Sequence, residues 1–419
     1  MPSLPSINDC CGCAACVDIC PKEAISLIED KYCFYNIIID RNKCIECKIC
    51  ENHCHILHPE KLKKSDPQKI KPYAAWSLNE DLIKYSATGA IFAQVAYNMI
   101  QEGDTYVYGA ALLEDSSVKH IEISDISGLR KLQNSKYQQS YSVGVYNLVK
   151  KRLKTGSRVL FSGVPCQIAA LYLFLNYNEK LTENLYTIEV LCHGVPCNDI
   201  HRTSLKVNKA SRIYAYRNKD GRGWDGKNGN NNRISYIGHD GNRFIIDSYQ
   251  KDSLFRSYLT FNFTRPNCFH CPYSDIHRVA DLTIGDFWGW KKTPNPEKYD
   301  NYWGTSIILP NTDKGRIMLE GKSLHLVETT WREFLPINQN LYMPTNVYDF
   351  KGYRFMPIVK HLPMIIRNIV YQYGFSNTRL NNIFRFVISR IFEKKRNNAI
   401  KLKEEKAKEV LNILEHSNE

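Results

Sequence analysis

The spacing of apolar and polar positions changes several times along the chain, and the changes predict an α+β fold. A short apolar run at 158–162 predicts a buried strand, which a turn at 163–165 and a helix beginning at Cys166 follow. Two further runs, 185–191 and 281–285, predict two more strands. Because strands of an α/β sheet end at one edge, residues that follow them are expected to meet there although they are distant in sequence.

The second half of the chain predicts a loop-rich stretch and then a helical region. The stretch 221–241 is dense in Gly, Asn and Asp, which predicts a mobile loop beside a hairpin. After about residue 342 the pattern becomes helical, with an apolar stripe at Ile383, Phe384, Val387, Ile388 and Ile391. The basic tail predicts a solvent-exposed helix packed by this stripe; a contact with a membrane surface or a partner is the alternative.

Length and composition divide the chain into four parts. With 419 residues it is too long for one ordinary core, and ten of its fifteen cysteines fall within the first 54 residues. We predict a small cysteine-rich domain at 1–58 and a linker with three prolines and five lysines at 59–72. A larger mixed α/β domain over 73–340 and a helical C-terminal extension over 341–419 follow.

Charge and cysteine usage narrow the class of protein. The formal net charge of +13 favours an acidic partner or an anionic surface, whereas nucleic acid is not expected because no recognition motif accompanies the scattered basic residues. No apolar run is long enough for a membrane-spanning helix, and the first residues do not read as a signal peptide, so we expect a cytoplasmic protein. Fifteen cysteines in that compartment indicate metal or redox chemistry instead of disulfides.

Two runs of cysteines share the spacing C-x2-C-x2-C-x3-C. They are Cys10, Cys13, Cys16 and Cys20, and Cys44, Cys47, Cys50 and Cys54. Three thiolates at this spacing wrap one [4Fe–4S] cubane, and the fourth reaches the other cluster. The predicted ligand sets are Cys10, Cys13, Cys16 and Cys54, and Cys44, Cys47, Cys50 and Cys20. Zinc is the alternative, but it prefers separated Cys-x2-Cys pairs.

The repeat resembles bacterial-type two-cluster ferredoxins over about residues 7–58. Pro21 follows the first run as in that pattern, whereas His55 takes the corresponding place after the second run, where it removes no ligand. Cys11 and Cys33 lie outside the pattern, and we predict structural roles for both.

Four of the five cysteines in the large domain predict a third [4Fe–4S] cluster: Cys166, Cys192, Cys268 and Cys271. Cys166 begins a helix, where backbone N–H groups favour the thiolate. Cys192 ends a strand, and Cys268 with Cys271 forms a paired-ligand loop before Pro272. Separate buried thiols beside a zinc-like pair, or zinc on all four, are the alternatives.

Six ordered segments of the large domain carry a resemblance to a known family. They are YSATG at 85–89, NSKYQQS at 134–140, FSGVPCQIA at 161–169, LCHGVP at 191–196, RPNCFHCP at 265–272 and ADLTIGDFWG at 280–289. Together they resemble the beta-subunit family of coenzyme F420 hydrogenases and dehydrogenases over about residues 73–340. Cys197 is left out of the ligand set because its position in the family motif need not be cysteine.

The resemblance implies an FAD-binding α/β domain that passes electrons between iron–sulfur clusters and a deazaflavin or another two-electron acceptor. The family also includes a chlorophyll-derivative reductase and partner subunits of formate dehydrogenase, so membership does not fix the substrate. The Phe-Trp-Gly ending at 287–289 resembles members from bacteria that make surface polysaccharides.

Candidate flavin-site and catalytic residues follow from these segments. No G-x-G-x-x-G follows a strand, which argues against a Rossmann-type site. Thr88 and Gly89 could place backbone N–H groups against a phosphate, or simply begin a helix. Lys136 could neutralise a diphosphate or a reduced flavin, or be a surface charge. His193 could donate a proton or make a structural hydrogen bond, and Asp286 could bind a ribityl hydroxyl or fix a loop.

These observations predict an iron–sulfur flavoprotein oxidoreductase. Electrons would pass between a redox partner or ferredoxin-type donor, the clusters and FAD, with hydride exchange to coenzyme F420 or another small two-electron acceptor. One rival is a non-catalytic electron-transfer subunit of a larger complex. The other is a factor in surface polysaccharide biosynthesis whose clusters are structural.

Overall fold

The computed structural model describes residues 1–217, 219, 221, 223–224, 233–247, 251–261, 263–321, 323–344, 352–373 and 385–416. In chain order the strands are β1 (Ile25–Glu29), β2 (Tyr35–Ile39), β3 (Tyr73–Ser77), β4 (Thr105–Leu112), β5 (Val118–Ile123), β6 (Arg158–Gly163), β7 (Leu185–Val190), β8 (Ala210–Tyr216), β9 (Ile234–Gly238), β10 (Arg243–Ile246), β11 (Leu282–Asp286), β12 (Ser306–Pro310) and β13 (Leu324–Glu328).

The α-helices are α1 (Ala15–Asp18), α2 (Ile49–Asn52), α3 (Glu80–Lys84), α4 (Ile91–Gln101), α5 (Ile126–Leu132), α6 (Val145–Lys154), α7 (Pro165–Phe174), α8 (Glu179–Thr182), α9 (Asn198–Val207), α10 (Ser253–Thr260), α11 (Asp313–Ile317), α12 (Trp331–Phe334), α13 (Met356–Val359), α14 (Met364–Tyr373) and α15 (Arg385–His416). Short 3-10 turns lie at Pro59–Lys61, Pro67–Lys69, Pro266–His270, Trp290–Lys292, Pro296–Tyr299, Gln339–Leu341 and Gly352–Phe355.

The large domain is built on an eight-stranded mixed sheet in the order β13-β3-β12-β11-β7-β6-β4-β5. Its centre is parallel, because β4 pairs with β6, β6 with β7 and β7 with β11 in that sense, while the outer pairs are antiparallel. The three strands predicted from apolar runs are β6, β7 and β11, and the helix predicted after the first of them is α7. The α+β prediction is therefore confirmed.

Helices cover both faces of this sheet, as the continuous apolar strands require. Along β6 the side chains alternate: Leu160 packs with α4 and α5 on one face, whereas Val159 and Phe161 pack with α6 and α7 on the other. All three side chains are fully buried. Burial on both faces leaves the strand ends as the places where polar chemistry can be presented.

A second, three-stranded sheet of β10, β9 and β8 packs with α9, α10 and α14. Its β9–β10 hairpin is the hairpin predicted near 221–241, whereas the loop residues 225–232 lie outside the described residues. Cys33 and Phe34 of the N-terminal module are buried in the same apolar cluster. Cys33 therefore has the packing environment of the structural role predicted for it.

The N-terminal module is bonded directly to the large domain. Ser142 Oγ and Tyr146 Oη donate to the carbonyl of Cys13 over 2.9 and 2.8 Å, and the backbone N–H of Tyr146 donates to the Asp18 carboxylate over 3.0 Å. The Gln139 amide donates to two further carbonyls of the same loop, each over 3.0 Å. These bonds hold the first cysteine run against the end of the large sheet.

The linker and the C-terminal helix pack against the large domain in one apolar cluster. Ile70 is buried in one apolar cluster with Ala407 and Leu414 of α15, so the segment predicted as an exposed linker is partly packed. The side chains of the predicted stripe at 383–391 lie outside the described residues. Within the described part of the chain, no helix combines the length and apolar content that crossing a membrane requires.

Candidate functional site

The eight cysteines that are predicted to bind clusters in the N-terminal module line two separate small cavities. One cavity is lined by Cys10, Cys13, Cys16 and Cys54, with Cys11 and His55 beside them. The other is lined by Cys20, Cys44, Cys47 and Cys50. Each cavity thus receives three cysteines from one run and the fourth from the other run, which is the crossed grouping that the spacing predicts.

The two cysteine runs repeat their backbone conformation as well as their spacing. Gly12 and Ala14 have φ angles of 67° and 69°, and their equivalents in the second run, Glu46 and Lys48, have φ angles of 55° and 56°. A four-residue helix follows each loop. Four left-handed residues in two short loops turn the chain sharply, so that successive thiols point to a common centre.

Each cavity surrounds buried thiols with backbone donors. The N–H of Gly12 donates to Cys10 Sγ and that of Ala24 donates to Cys20 Sγ, both over 3.3 Å. Burial raises the pKa of the Cys50 thiol to about 11, and burial with the neighbouring thiols raises that of Cys16. Thiolates in such sites need a cationic centre, and N–H···S bonds of this kind are typical of iron–sulfur ligands.

The four cysteines predicted for a third cluster meet at the ends of β6 and β7. Cys166 is the second residue of α7, directly after β6, and Cys192 lies two residues after β7. Cys268 and Cys271 come from the 3-10 turn at Pro266–His270 and the residue after it. All four line one cavity of about 510 Å³. Burial raises the pKa of the Cys192 thiol to about 12.

Gly194 permits this convergence. Its φ angle is 94°, and a Cβ atom on it would lie 2.8 Å from Thr264 Cγ2 and 3.2 Å from Cys268 Cβ. Its N–H donates to Cys192 Sγ over 3.4 Å. A side chain here would push the loop of Cys192 away from that of Cys268, so the glycine in LCHGVP is required by the approach of the two loops.

The spacing of the thiols favours the cubane interpretation over the zinc interpretation. Four sulfurs on one zinc ion would lie about 3.8 Å apart, given Zn–S bonds of about 2.3 Å. Among the described residues, the one set of three candidate ligand atoms within 4.8 Å of one another is Cys11, Cys13 and His55. None of the three predicted cysteine sets is that compact, and a wider arrangement suits a cubane whose ligands bind different irons.

Cys11 has a different environment from the one predicted for it. Its thiol lies 3.4 Å from Nε2 of His55, and Nδ1 of that ring bonds to the hydroxyl of Tyr273. Hydrogen bonds from the Cys13 and Cys166 thiols lower the pKa of Cys11. Cys11 is therefore not a simple packing residue, because it lies between the first and third cysteine sets. The signal in the sequence was that two departures from the ferredoxin pattern, Cys11 and His55, occur together.

The cavity of the third set extends to most of the predicted flavin residues. Thr88, Lys136, His193 and Asp286 line it, whereas Gly89 does not. The Gly89 N–H donates to Ser306 Oγ over 3.1 Å, and a Cβ on this residue would lie 2.5 Å from a strand carbonyl. The helix-start interpretation therefore fits Gly89 better than the phosphate-binding one.

Lys136 is half-buried and caps a helix. Its Nζ donates to the carbonyls of Leu132 and Gln133 over 2.8 and 2.7 Å, at the C-terminal end of α5. Burial lowers its pKa to about 7. It is thus not a surface charge, and its ammonium group is held at the cavity wall in a state close to deprotonation.

His193 and Asp286 line the same cavity. The His193 ring stacks on Trp288 with centroids 5.6 Å apart, and burial lowers its pKa to about 4, so it is neutral at pH 7. Asp286 Oδ2 accepts from Arg217 over 2.6 Å and from the Trp288 indole over 2.8 Å. These contacts make Asp286 an anchor for the wall, a role that sequence reasoning left undecided.

Two buried polar atoms of the cavity-lining segment 134–140 have no hydrogen-bond partner among the described residues: Asn134 Oδ1 and Gln138 Oε1. Such atoms are costly to leave unpaired, so they suit a bound ligand with hydrogen-bond donors. Cavities of this size and largely apolar lining are typical of cofactor sites. The wall therefore fits a flavin, whose ring is apolar on its faces and polar at its edge.

Two buried histidines hold this segment in place. His120 Nδ1 lies 2.7 Å from Ser140 Oγ, and His201 Nε2 lies 2.9 Å from the Tyr137 carbonyl. Burial lowers the pKa of each ring to about 4. Both rings are therefore neutral supports at physiological pH.

We expect protein stability to fall as pH drops from about 6.5 to about 4. In that window the unfolded histidines bind protons and the folded ones do not, so the stabilisation present above pH 6.5 is lost on acidification. Each ring contributes a slope of up to about 1.4 kcal/mol per pH unit. Denaturant unfolding of H201Q should show a shallower pH slope than wild type. The exposed-residue variant H239Q is the control, and equal slopes in wild type and H201Q would contradict the assignment.

Comparison with known proteins agrees with this architecture. Residues 156–330 match the family model that describes the C terminus of the coenzyme F420 hydrogenase/dehydrogenase beta subunit. A chain of the xenon-derivatised F420-reducing [NiFe] hydrogenase complex from Methanosarcina barkeri aligns with a TM-score of 0.41 and 13% identity, over 64% of this chain and 84% of that chain. That alignment is too weak to carry an argument. No curated protein matches significantly.

The fold and the grouped thiols define a redox protein in which a cysteine-rich module is joined to an α/β domain. Over 156–330, the segment that holds the four cysteines of the third set, the chain matches the model of this beta-subunit family. Four of the six sequence segments that carry the resemblance lie within that match, which confirms the resemblance to the family.

Proposed function

We propose that this protein is an iron–sulfur flavoprotein oxidoreductase with three [4Fe–4S] clusters and FAD. The observation that carries the proposal is the shared cavity of about 510 Å³. The third cysteine set lines one part of it, and the segment 134–140 with its unpaired polar atoms lines another. Cys11 and Cys13 of the N-terminal module border the same cavity. The third cysteine set, the edge of the first set and the segment 134–140 thus meet in one cavity, which gives electrons a connected route.

The residues of this route prepare it for electron transfer. When bound, the clusters carry single electrons and the flavin exchanges two with its partner. The thiols of the first and third sets are buried or half-buried, and the N–H donors at Cys10 and Cys192 stabilise their charge. The half-buried Lys136, with its pKa near 7, can hold or release a proton at Nζ within the segment 134–140.

The second cysteine set is the entry point for a protein partner. Cys47 is exposed, and the neighbouring Ile45 is 58% exposed, whereas Cys10 of the first set is buried. An acidic ferredoxin-type protein would be attracted by the net charge of +13. The terminal acceptor is coenzyme F420 or another small two-electron carrier, and the expected compartment is the cytoplasm.

Anaerobic purification with cofactor extraction tests the proposal. We expect about twelve irons and about twelve sulfides per chain, as three cubanes require, together with FAD released on denaturation. Turnover of a small acceptor by the isolated protein separates an enzyme from a non-catalytic subunit. Zinc in place of iron, or failure of the intact protein to bind FAD at micromolar concentration, would contradict the proposal.

A further inference from the structure

Among the described residues, the buried arginines have carboxylate partners, with one exception. Arg217 pairs with Asp286 over 2.6 Å, and Arg278 pairs with Glu189. Arg265 is completely buried, yet it forms no ion pair with a carboxylate in the part of the chain that the structure describes. An isolated buried charge costs several kcal/mol, so a guanidinium in this position requires an anion of another kind.

The protein contacts of Arg265 are all neutral. Its Nε donates to the Cys10 carbonyl over 2.9 Å, and its Nη1 donates to the Tyr35 carbonyl over 2.7 Å and to Gln139 Oε1 over 3.1 Å. The guanidinium carbon lies 5.8 Å from the centre of the Phe34 ring. These bonds fix the orientation of the guanidinium and leave its charge uncompensated.

One nitrogen of the Arg265 guanidinium has no hydrogen-bond acceptor among the described residues. Arg265 Nη2 is buried and donates to no atom of the described residues. A Cβ atom on Gly12 would lie 3.1 Å from Nη2, so the glycine leaves room for the guanidinium against the loop of the first cysteine set. Arg265 also lines the cavity of the third set. The unpaired donor and the uncompensated charge are therefore located where the two cysteine sets approach each other.

Asp30 feels the Arg265 charge but forms no ion pair with it in the described part of the chain. Its Oδ1 accepts from the N–H groups of Tyr32 and Phe34 over 2.8 and 3.2 Å. Arg265 is instead bonded to two cysteine loops, since its Nε donates to the Cys10 carbonyl over 2.9 Å and the Cys268 N–H donates to the Arg265 carbonyl over 3.0 Å. These cysteines belong to the first and third sets.

We propose that Arg265 is the built-in counter-charge of the first and third iron–sulfur sites and raises the reduction potential of the clusters they hold. The inference rests on the proposed function. A cubane with four thiolates is anionic, and one-electron reduction makes it more negative without breaking a bond. A fixed positive charge beside it stabilises the reduced state most. Arg265 is thus a positioning and potential-setting residue that takes no part in proton transfer.

Redox potentiometry of the intact protein, followed by EPR with iron and sulfide analysis, tests the proposal. R265M, which removes the charge, is expected to shift at least one cluster to a more negative midpoint potential. R265K, which keeps the charge, should stay close to wild type. S142A is the matched control, because it removes a neutral hydrogen bond to the carbonyl of Cys13 at the same junction and leaves the bonds of Arg265 in place, so its potentials should not move.

Three outcomes decide between the alternatives. Full iron content with unchanged potentials in R265M overturns the inference and leaves the proposed function intact. A shift in R265K as large as that in R265M also overturns it, since the hydrogen bonds and not the charge would then matter. If R265M does not assemble, wild-type iron and potentials in R265K support the inference, and a negative shift there refutes it. If the wild-type protein contains no iron, the proposed function itself is contradicted.

Discussion

Replacing both Cys268 and Cys271 with alanine is expected to lower the iron content of the intact chain from about twelve atoms to about eight. Flavin reduction by a ferredoxin-type donor should stop at the same time. The two thiols come from one loop, and the remaining pair, Cys166 and Cys192, cannot hold a cubane alone. The proposed electron route would then be interrupted between the N-terminal module and the segment 134–140.

Flavin content separates a broken route from a damaged cavity. The double variant should retain FAD, because the segment 134–140 is held by His120, His201 and Arg265, none of which the substitutions remove. C197A is the matched control: this thiol is fully buried in the same domain, lies 3.7 Å from Met356 Sδ and belongs to none of the sets. Wild-type iron content in the double variant would rule out the third cluster.

The crossed grouping of the N-terminal cysteines predicts which variants should behave alike. C20S and C47S should lose the same cluster, although their cysteines belong to different runs, because both line one cavity. C13S and C54S should lose the other cluster. Each loss should remove about four irons and abolish the magnetic coupling between the two reduced clusters.

EPR of the dithionite-reduced protein and iron analysis distinguish this pairing from a sequential one. If each run held its own cluster, the spectrum of C20S would match that of C13S and differ from that of C47S. C33S is the control, since this buried thiol packs beside Phe34 in an apolar cluster and lies outside both cavities. Its spectrum should equal that of wild type.

Much of the framework was readable from the sequence because it is encoded locally. Strand β6 is a short run of apolar residues, and the cysteine spacing reflects loops of a few residues whose left-handed backbone repeats at Gly12 and Glu46. The meeting of Cys166 and Cys192 followed from the rule that parallel strands end at one edge. Such features need no knowledge of distant contacts.

The roles that escaped prediction depend on long-range contacts. Arg265 binds the carbonyl of a residue 255 positions away, and Gly89 donates to a hydroxyl 217 positions away. Neither the periodicity of apolar residues nor the spacing of a motif indicates contacts between residues so far apart in the sequence. Cys11 was assigned to packing because its neighbour Cys166 belongs to another domain. Asp286 had two plausible roles until its bond to Arg217 was visible.

The bonds from Gln139, Ser142 and Tyr146 to the first cysteine loop have a kinetic consequence. A cofactor domain on a loose tether delivers electrons by diffusing between docking sites, and its rate falls as solvent viscosity rises. Here the cysteine loop is part of the wall that faces the acceptor cavity. Transfer inside the molecule should therefore proceed at one fixed distance, and added glycerol should slow only the encounter with the external donor.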